Sequence, residues 1–158
     1  MKLNIALILL LATIAFSCGQ NNEASKKDLR IYDYEELLTR SQERHLNSII
    51  SDYEKKSTNE IVIVTSKDIG GFETTIQYVA DFGSVHEVGK NGKDNGLVIF
   101  VSKSLSEAAL SSGYEPDKTL NNEICKEIVD SFMIPLFRED KYFDGIMAGL
   151  DECIKKWN

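Results

Sequence analysis

The stretch 59–66, "NEIVIVTS", decides the class of fold. Ile61 to Val64 are four consecutive β-branched residues, which favour an extended, pleated backbone. They do not alternate with polar residues, so the strand is expected to be buried on both faces, and a sheet buried on both faces needs helices on both sides. Leu97 to Ser102, "LVIFVS", repeats the pattern. Glu107 to Ser112, "EAALSS", is a weaker third strand, close enough in sequence to pair antiparallel with the second.

Helical periodicity fills the rest of the chain. Leu46, Ile49, Ile50 and Tyr53 recur at helical spacing and predict a helix over 41–57, with Thr39 or Ser41 as its cap and Glu43 in its first turn. Gly70-Gly71 breaks the chain, and 72–85 reads as a second helix with Ile76, Val79, Ala80 and Phe82 inward. Ile124, Cys125, Ile128, Val129 and Phe132 form a third stripe. Phe143, Ile146, Met147, Leu150, Cys153, Ile154 and Trp157 form the most regular one, with Lys155 and Lys156 complementing the helix dipole in its last turn. The order is helix, strand, helix, strand, strand, helix, helix. It predicts an α/β protein, a three-layer α/β/α sandwich with a small mixed sheet.

The first residues are expected to stand outside that fold. Lys2 is followed by a short apolar run, Leu3 to Phe16, and then by "SCGQNN". A basic start, a short apolar core and small residues at its end make a secretory signal. Ser17-Cys18 resembles a bacterial lipobox, in which the signal is cut before the cysteine and the thiol is acylated. The expected organisation is a signal peptide over 1–17, lipidated Cys18 with a polar linker over 18–34, and a domain over 35–158. The protein is then lipid-anchored in the cell envelope facing the periplasm, on the outer or the inner membrane. Each buried methylene contributes roughly 0.8 kcal/mol, so two or three acyl chains anchor stably.

The net charge is −7, and one unit more negative once Lys2 is removed. An acidic surface argues against nucleic acid as a partner. The membrane, reached through the lipid, and a membrane protein of the envelope are the expected partners. Cys125 and Cys153 lie within apolar helical stripes and read as buried, reduced packing residues, with a disulfide as the alternative that an oxidising envelope would permit. No CxxC or histidine cluster accompanies them.

Most catalytic signatures are missing. "GKNGKDNG" over 89–96 is neither a Walker loop nor GxGxxG, and there is no GxSxG or HExxH. His45 reads as solvated and His86 as structural. What remains is a set of polar residues at element ends: Asp94 and Asn95 before the second strand, Gly113-Tyr114-Glu115 after the third, and Asn121-Asn122 at a helix start. Loops at the carboxyl ends of strands and helix N-termini line ligand crevices in α/β folds. Plain structural roles are equally open: Asn95-Gly96 is good turn chemistry, and Asn121 or Asn122 an ordinary N-cap.

From about Leu37 onward the chain resembles the TPM domain family of thylakoid-lumen acid-phosphatase-like and photosystem-repair proteins. The resemblance rests on "NEIVIVTS", on "VGKNGKDNGLVIFVS" with its Asp-Asn-Gly entering a strand, on "SSGYE", and on "IPLFREDKYFDGIMAGL". It implies an α/β/α sandwich and a groove in which acidic residues hold a divalent cation. Asp94 and Asn95 match the family's Asp-Asn pair. Asn122 stands where many members carry aspartate, and the loop at Tyr114 to Lys118 lacks the common Gly-Leu-Glu-Gly continuation. With Asp94, Asn95, Glu115, Asn121 and Asn122 as the candidate groove, the expectation is at most weak Ca²⁺ or Mg²⁺ binding. The implied function is a non-catalytic binding, assembly or repair module; the alternative is a divalent-metal-dependent phosphatase, with no catalytic residue assigned.

Overall fold

The computed structural model describes residues 30–89, 92–93, 95–113 and 120–157. Its centre is a four-stranded sheet in the order β1 (Ile31–Asp33), β2 (Glu60–Thr65), β3 (Gly96–Ser102), β4 (Glu107–Ser112). β1, β2 and β3 are parallel, and β4 runs antiparallel to β3 through a tight hairpin. The α/β class and the small mixed sheet are thus as expected from the three apolar runs. β1 is an addition: a three-residue strand inside the stretch read as linker, paired to β2 as Ile31↔Ile63 and Asp33↔Thr65. Three residues are too few for a period-2 signal, so the folded domain begins before residue 35.

Strand periodicity divides the core in two. Ile61, Ile63, Leu97, Ile99, Val101 and Leu110 point to one face, where Leu46, Ile50, Cys125, Ile128, Met133, Ile146, Leu150 and Cys153 cover them. Val62, Val64, Val98 and Phe100 point to the other, where Val79 and Phe82 cover them. The first face carries α1 (Arg40–Ser57), α3 (Asn122–Ile128) and α5 (Tyr142–Lys156); the second carries α2 (Thr75–Val85). One helix covers less than three do. Ile76 is 50% exposed, and Ala80 is exposed too, so these two do not point inward as their spacing suggested.

This division has a topological consequence. The crossovers β1-α1-β2 and β2-α2-β3 step the same way across the sheet, yet their helices lie on opposite faces. They are therefore of opposite hand, and one departs from the right-handed rule that parallel crossovers almost always obey.

Local chemistry explains the element ends. Thr39 with Gln42 and Thr74 with Gln77 form reciprocal capping boxes at the starts of α1 and α2. α3 runs through a π-helical turn (Val129–Met133) into the short α4 (Ile134–Phe137). Pro135 supplies no N–H and its ring needs space in the preceding turn; the widened turn just before it, closed by Ile134 N–H to Val129 O, provides that space. Arg30 pairs with Glu54, and the Tyr53 hydroxyl donates to Trp157 O at 3.3 Å. Both ends of the described chain are thus held at one turn of α1. Among the described residues no helix is long and apolar enough to cross a membrane.

Candidate functional site

The described residues singled out from the sequence lie at the amino ends of the parallel strands, not at the carboxyl ends where ligand crevices of α/β folds are expected. Gly113 N–H donates to Gly96 O at 2.9 Å, and Ser112 Oγ to Leu120 O at 2.9 Å. Those two bonds bring the Asn95 segment and the start of α3 to the same end of the sheet. Asn95 Nδ2 donates to the carbonyl of Thr58, the left-handed residue that ends α1, at 2.6 Å. Its own carbonyl accepts from Glu60 N–H at 2.9 Å. Asn121 is the N-cap of α3, its Oδ1 accepting from Ile124 N–H at 2.9 Å. Asn122 is the exposed first residue of that helix. Asp94 and Glu115 lie outside the described residues, as does Cys18.

Gly96 owes its identity to crowding. The carbonyl of Val88 passes so close that a Cβ would overlap it, and Gly89 N–H reaches Glu60 Oε2 at 3.0 Å. The Asn-Gly of the motif therefore braces three segments: the end of α1, the start of β2 and the run after α2.

Of the candidate groove, the described residues Asn95, Asn121 and Asn122 offer a cation neutral oxygens only. A hard divalent ion takes several oxygens, carboxylates above all, and its affinity falls with ligand charge. Here Asn121 Oδ1 is committed to a backbone amide, the Asn95 amide is oriented by a backbone carbonyl, and position 122 offers a neutral side chain. Among the described residues, no three of His, Cys, Asp or Glu gather where they could share a metal.

The carboxyl ends of the same strands hold polar chemistry that the sequence reading missed. The Asp33 carboxylate accepts from Leu37 N–H at 3.0 Å, from Leu38 N–H at 2.8 Å and from the Thr65 hydroxyl. Glu35, 8% exposed, crosses over β2, its N–H donating to Thr65 Oγ1 at 3.0 Å. Its carboxylate then accepts from Lys103 N–H at 3.0 Å, Ser104 N–H at 2.8 Å and Ser104 Oγ at 2.6 Å. An acidic pair two residues apart leaving a strand would have signalled this arrangement, had β1 been recognisable.

Beside this network is an open cleft of about 350 Å³, lined in part by Glu36, Lys103, Asp140, Lys141, Tyr142 and Asp144. Lys103 Nζ bonds Asp140 at 2.6 Å and lies 5.1 Å from the Tyr142 ring centroid. The Asp140 hydrogen bond raises the Lys103 pKa, and Glu139 raises that of Lys141 in the same way. Glu36 and Asp140 both hold left-handed backbone, with φ of 57° and 61°.

Structural likenesses place the fold among solved domains. The N-terminal domain of a protein from P. gingivalis matches with a TM-score of 0.75 at 21% identity, over 84% of this chain and 83% of that one. The N-terminal domain of the cg2496 protein from Corynebacterium glutamicum matches at 0.63 and 11% identity, over 82% and 80%. The BA42 protein from the psychrophilic bacterium Bizionia argentinensis matches at 0.63 and 17%, over 78% and 88%. At these identities the likeness is one of fold. Among curated protein sequences none matches significantly. The TPM domain family model matches residues 31–156, from the first residue of β1 to the last of α5, and the chain therefore belongs to the TPM domain family.

Proposed function

We propose that this TPM domain is a non-catalytic binding module of the bacterial envelope, lipid-anchored through Cys18 and docking a membrane protein during its assembly or repair. The observation that carries the reading is the use made of the groove's amides. Asn95 Nδ2 and Asn121 Oδ1 each bond a backbone group, which supports reading these two residues as braces of a surface rather than as ligands. The acidic balance of the chain fits a protein partner better than nucleic acid. A polar linker between Cys18 and β1 fits a domain that reaches its partner while staying at the membrane.

The test is cross-linking in intact cells followed by capture from solubilised envelopes, with the Cys18→Ser variant as control. The expected outcome is one membrane protein recovered with the wild type and lost with the control, which should leave the membrane fraction or remain unprocessed. A Cys18→Ser protein that stays in the membrane and is acylated like the wild type overturns the anchor. Metal-stimulated phosphomonoester hydrolysis by the purified domain, abolished by Asp94→Ala, would overturn the non-catalytic reading in favour of the phosphatase.

A further inference from the structure

The two crossovers of opposite hand create a recognisable place. The loop leaving β1 turns toward one face of the sheet and the loop leaving β2 toward the other. Where outgoing loops of neighbouring parallel strands diverge, a crevice opens at their carboxyl ends, and open α/β sheets bind their ligands there. In this chain that place is filled by the chain's own Glu35.

We infer that the turn at Lys103-Ser104 is a carboxylate-binding cradle whose resident ligand is the Glu35 side chain, so that the crevice at the carboxyl ends of β1, β2 and β3 is closed from within. Two successive backbone N–H groups and a hydroxyl converge on one carboxylate, at 3.0, 2.8 and 2.6 Å. Consecutive amides aimed at one anion form a concave, positively polarised nest of the kind that binds carboxylate or phosphate in other proteins. Each Glu35 oxygen takes a different amide, the two-pronged fit of a carboxylate. Lys103 adds its charge nearby, and Glu35 contributes to the raised pKa of its ammonium. The segment carrying the plug is held in turn: Tyr34 N–H bonds Thr65 O at 3.1 Å, Glu35 N–H bonds Thr65 Oγ1, and Asp33 ties back Leu37 and Leu38. The carboxylate is thus delivered at high effective concentration, and a free carboxylate in solution does not displace it.

Vacating the cradle tests the inference. In the detergent-solubilised full chain, Glu35→Ala should lower the melting temperature by roughly 5–10 °C, the scale of losing charge-assisted hydrogen bonds in a domain of this size. Acetate should restore part of that loss and saturate, while chloride at equal ionic strength should not. In ¹⁵N spectra the Lys103 and Ser104 amides should move most on adding acetate to the variant, and should not move in the wild type. Glu35→Gln keeps the shape and removes the charge; it should melt below the wild type. If Glu35→Ala melts like the wild type, or folds but answers acetate in neither readout, the cradle is no carboxylate site. If Glu35→Ala does not fold, Glu35→Gln decides: stability equal to the wild type overturns the inference, and a lowered melting temperature sustains it.

Discussion

At the scale of single residues, position 122 and the two buried thiols make claims that can be measured. If carboxylate count limits cation affinity, wild-type Ca²⁺ binding should be no tighter than about 10⁻⁴ M, Asn122→Asp should tighten it, and Asp94→Ala should abolish it with the fold intact. Calorimetric titration of the three proteins with Ca²⁺ and Mg²⁺ reads this directly; micromolar binding by the wild type, or binding that survives Asp94→Ala, places the ions elsewhere. Cys125 and Cys153 are free and buried, as their place in the apolar stripes predicts. Burial pushes the Cys125 thiol from 9.0 up to about 11, and Cys153 upward as well. A folded-state pKa above the unfolded one stabilises below the unfolded value and loses that contribution as pH rises. Stability should therefore fall between pH 9 and about 11, by roughly 2–3 kcal/mol from Cys125 alone. Urea unfolding across that range checks it, with Cys125→Ala expected to flatten the decline. Thiol counting on the unfolded Cys18→Ser chain, without reductant, should find two.

Elements show why some of the fold was legible and some was not. β2 and β3 are runs of apolar residues whose neighbours in space are also apolar, so composition alone announces them. α5 was found to within a residue because its stripe is long and uninterrupted. β1 was not, since three residues carry no period, and with it went Asp33 and Glu35. The break at Gly70-Gly71 suggests a start of α2 at residue 72; Thr74 caps the helix instead, and Phe72 is left 37% exposed. Asn121 took the plain reading, an N-cap, which no local signal separates from a ligand. The π turn just before Pro135 is invisible to a 3.6-residue period. Close approach between elements is equally hidden until one asks what a glycine excludes. In α5, a Cβ at Gly145 would collide with the Phe137 ring, itself stacked on Tyr142. Gly145→Ala gains about 1 kcal/mol of helix propensity but forces overpacking that costs about 1–3 kcal/mol. The net should be a loss of about 1 kcal/mol, visible in urea denaturation; a stabilised variant would mean that α4 yields freely.

For the whole molecule, the pairing of strands could be argued from sequence order, but the hands of the crossovers could not. Nothing local in α1 or α2 says which face it will cover; that is settled by the collective choice to bury three helices on one side and one on the other. The result is a domain whose two ends differ in character. At one, amides brace the backbone around Asn95 and Asn121. At the other, the Glu35 carboxylate reaches the Lys103-Ser104 turn beyond the strand ends. The open cleft beside that carboxylate and the outer surface remain for recognition, which agrees with a docking role.

The grip that Tyr53 and Glu54 exert on the two ends of the described chain has a mechanical meaning. If the domain is anchored through Cys18 as proposed, a pull by its partner loads the chain from the amino side, at Arg30. Glu54 shares that load with the β1–β2 pairing, which Arg30 joins through the Ile63 N–H to Arg30 O bond at 2.8 Å. Tension between Arg30 and Trp157 would be shared by that pairing and by a single turn of α1, which clasps both ends of the described chain like a buckle.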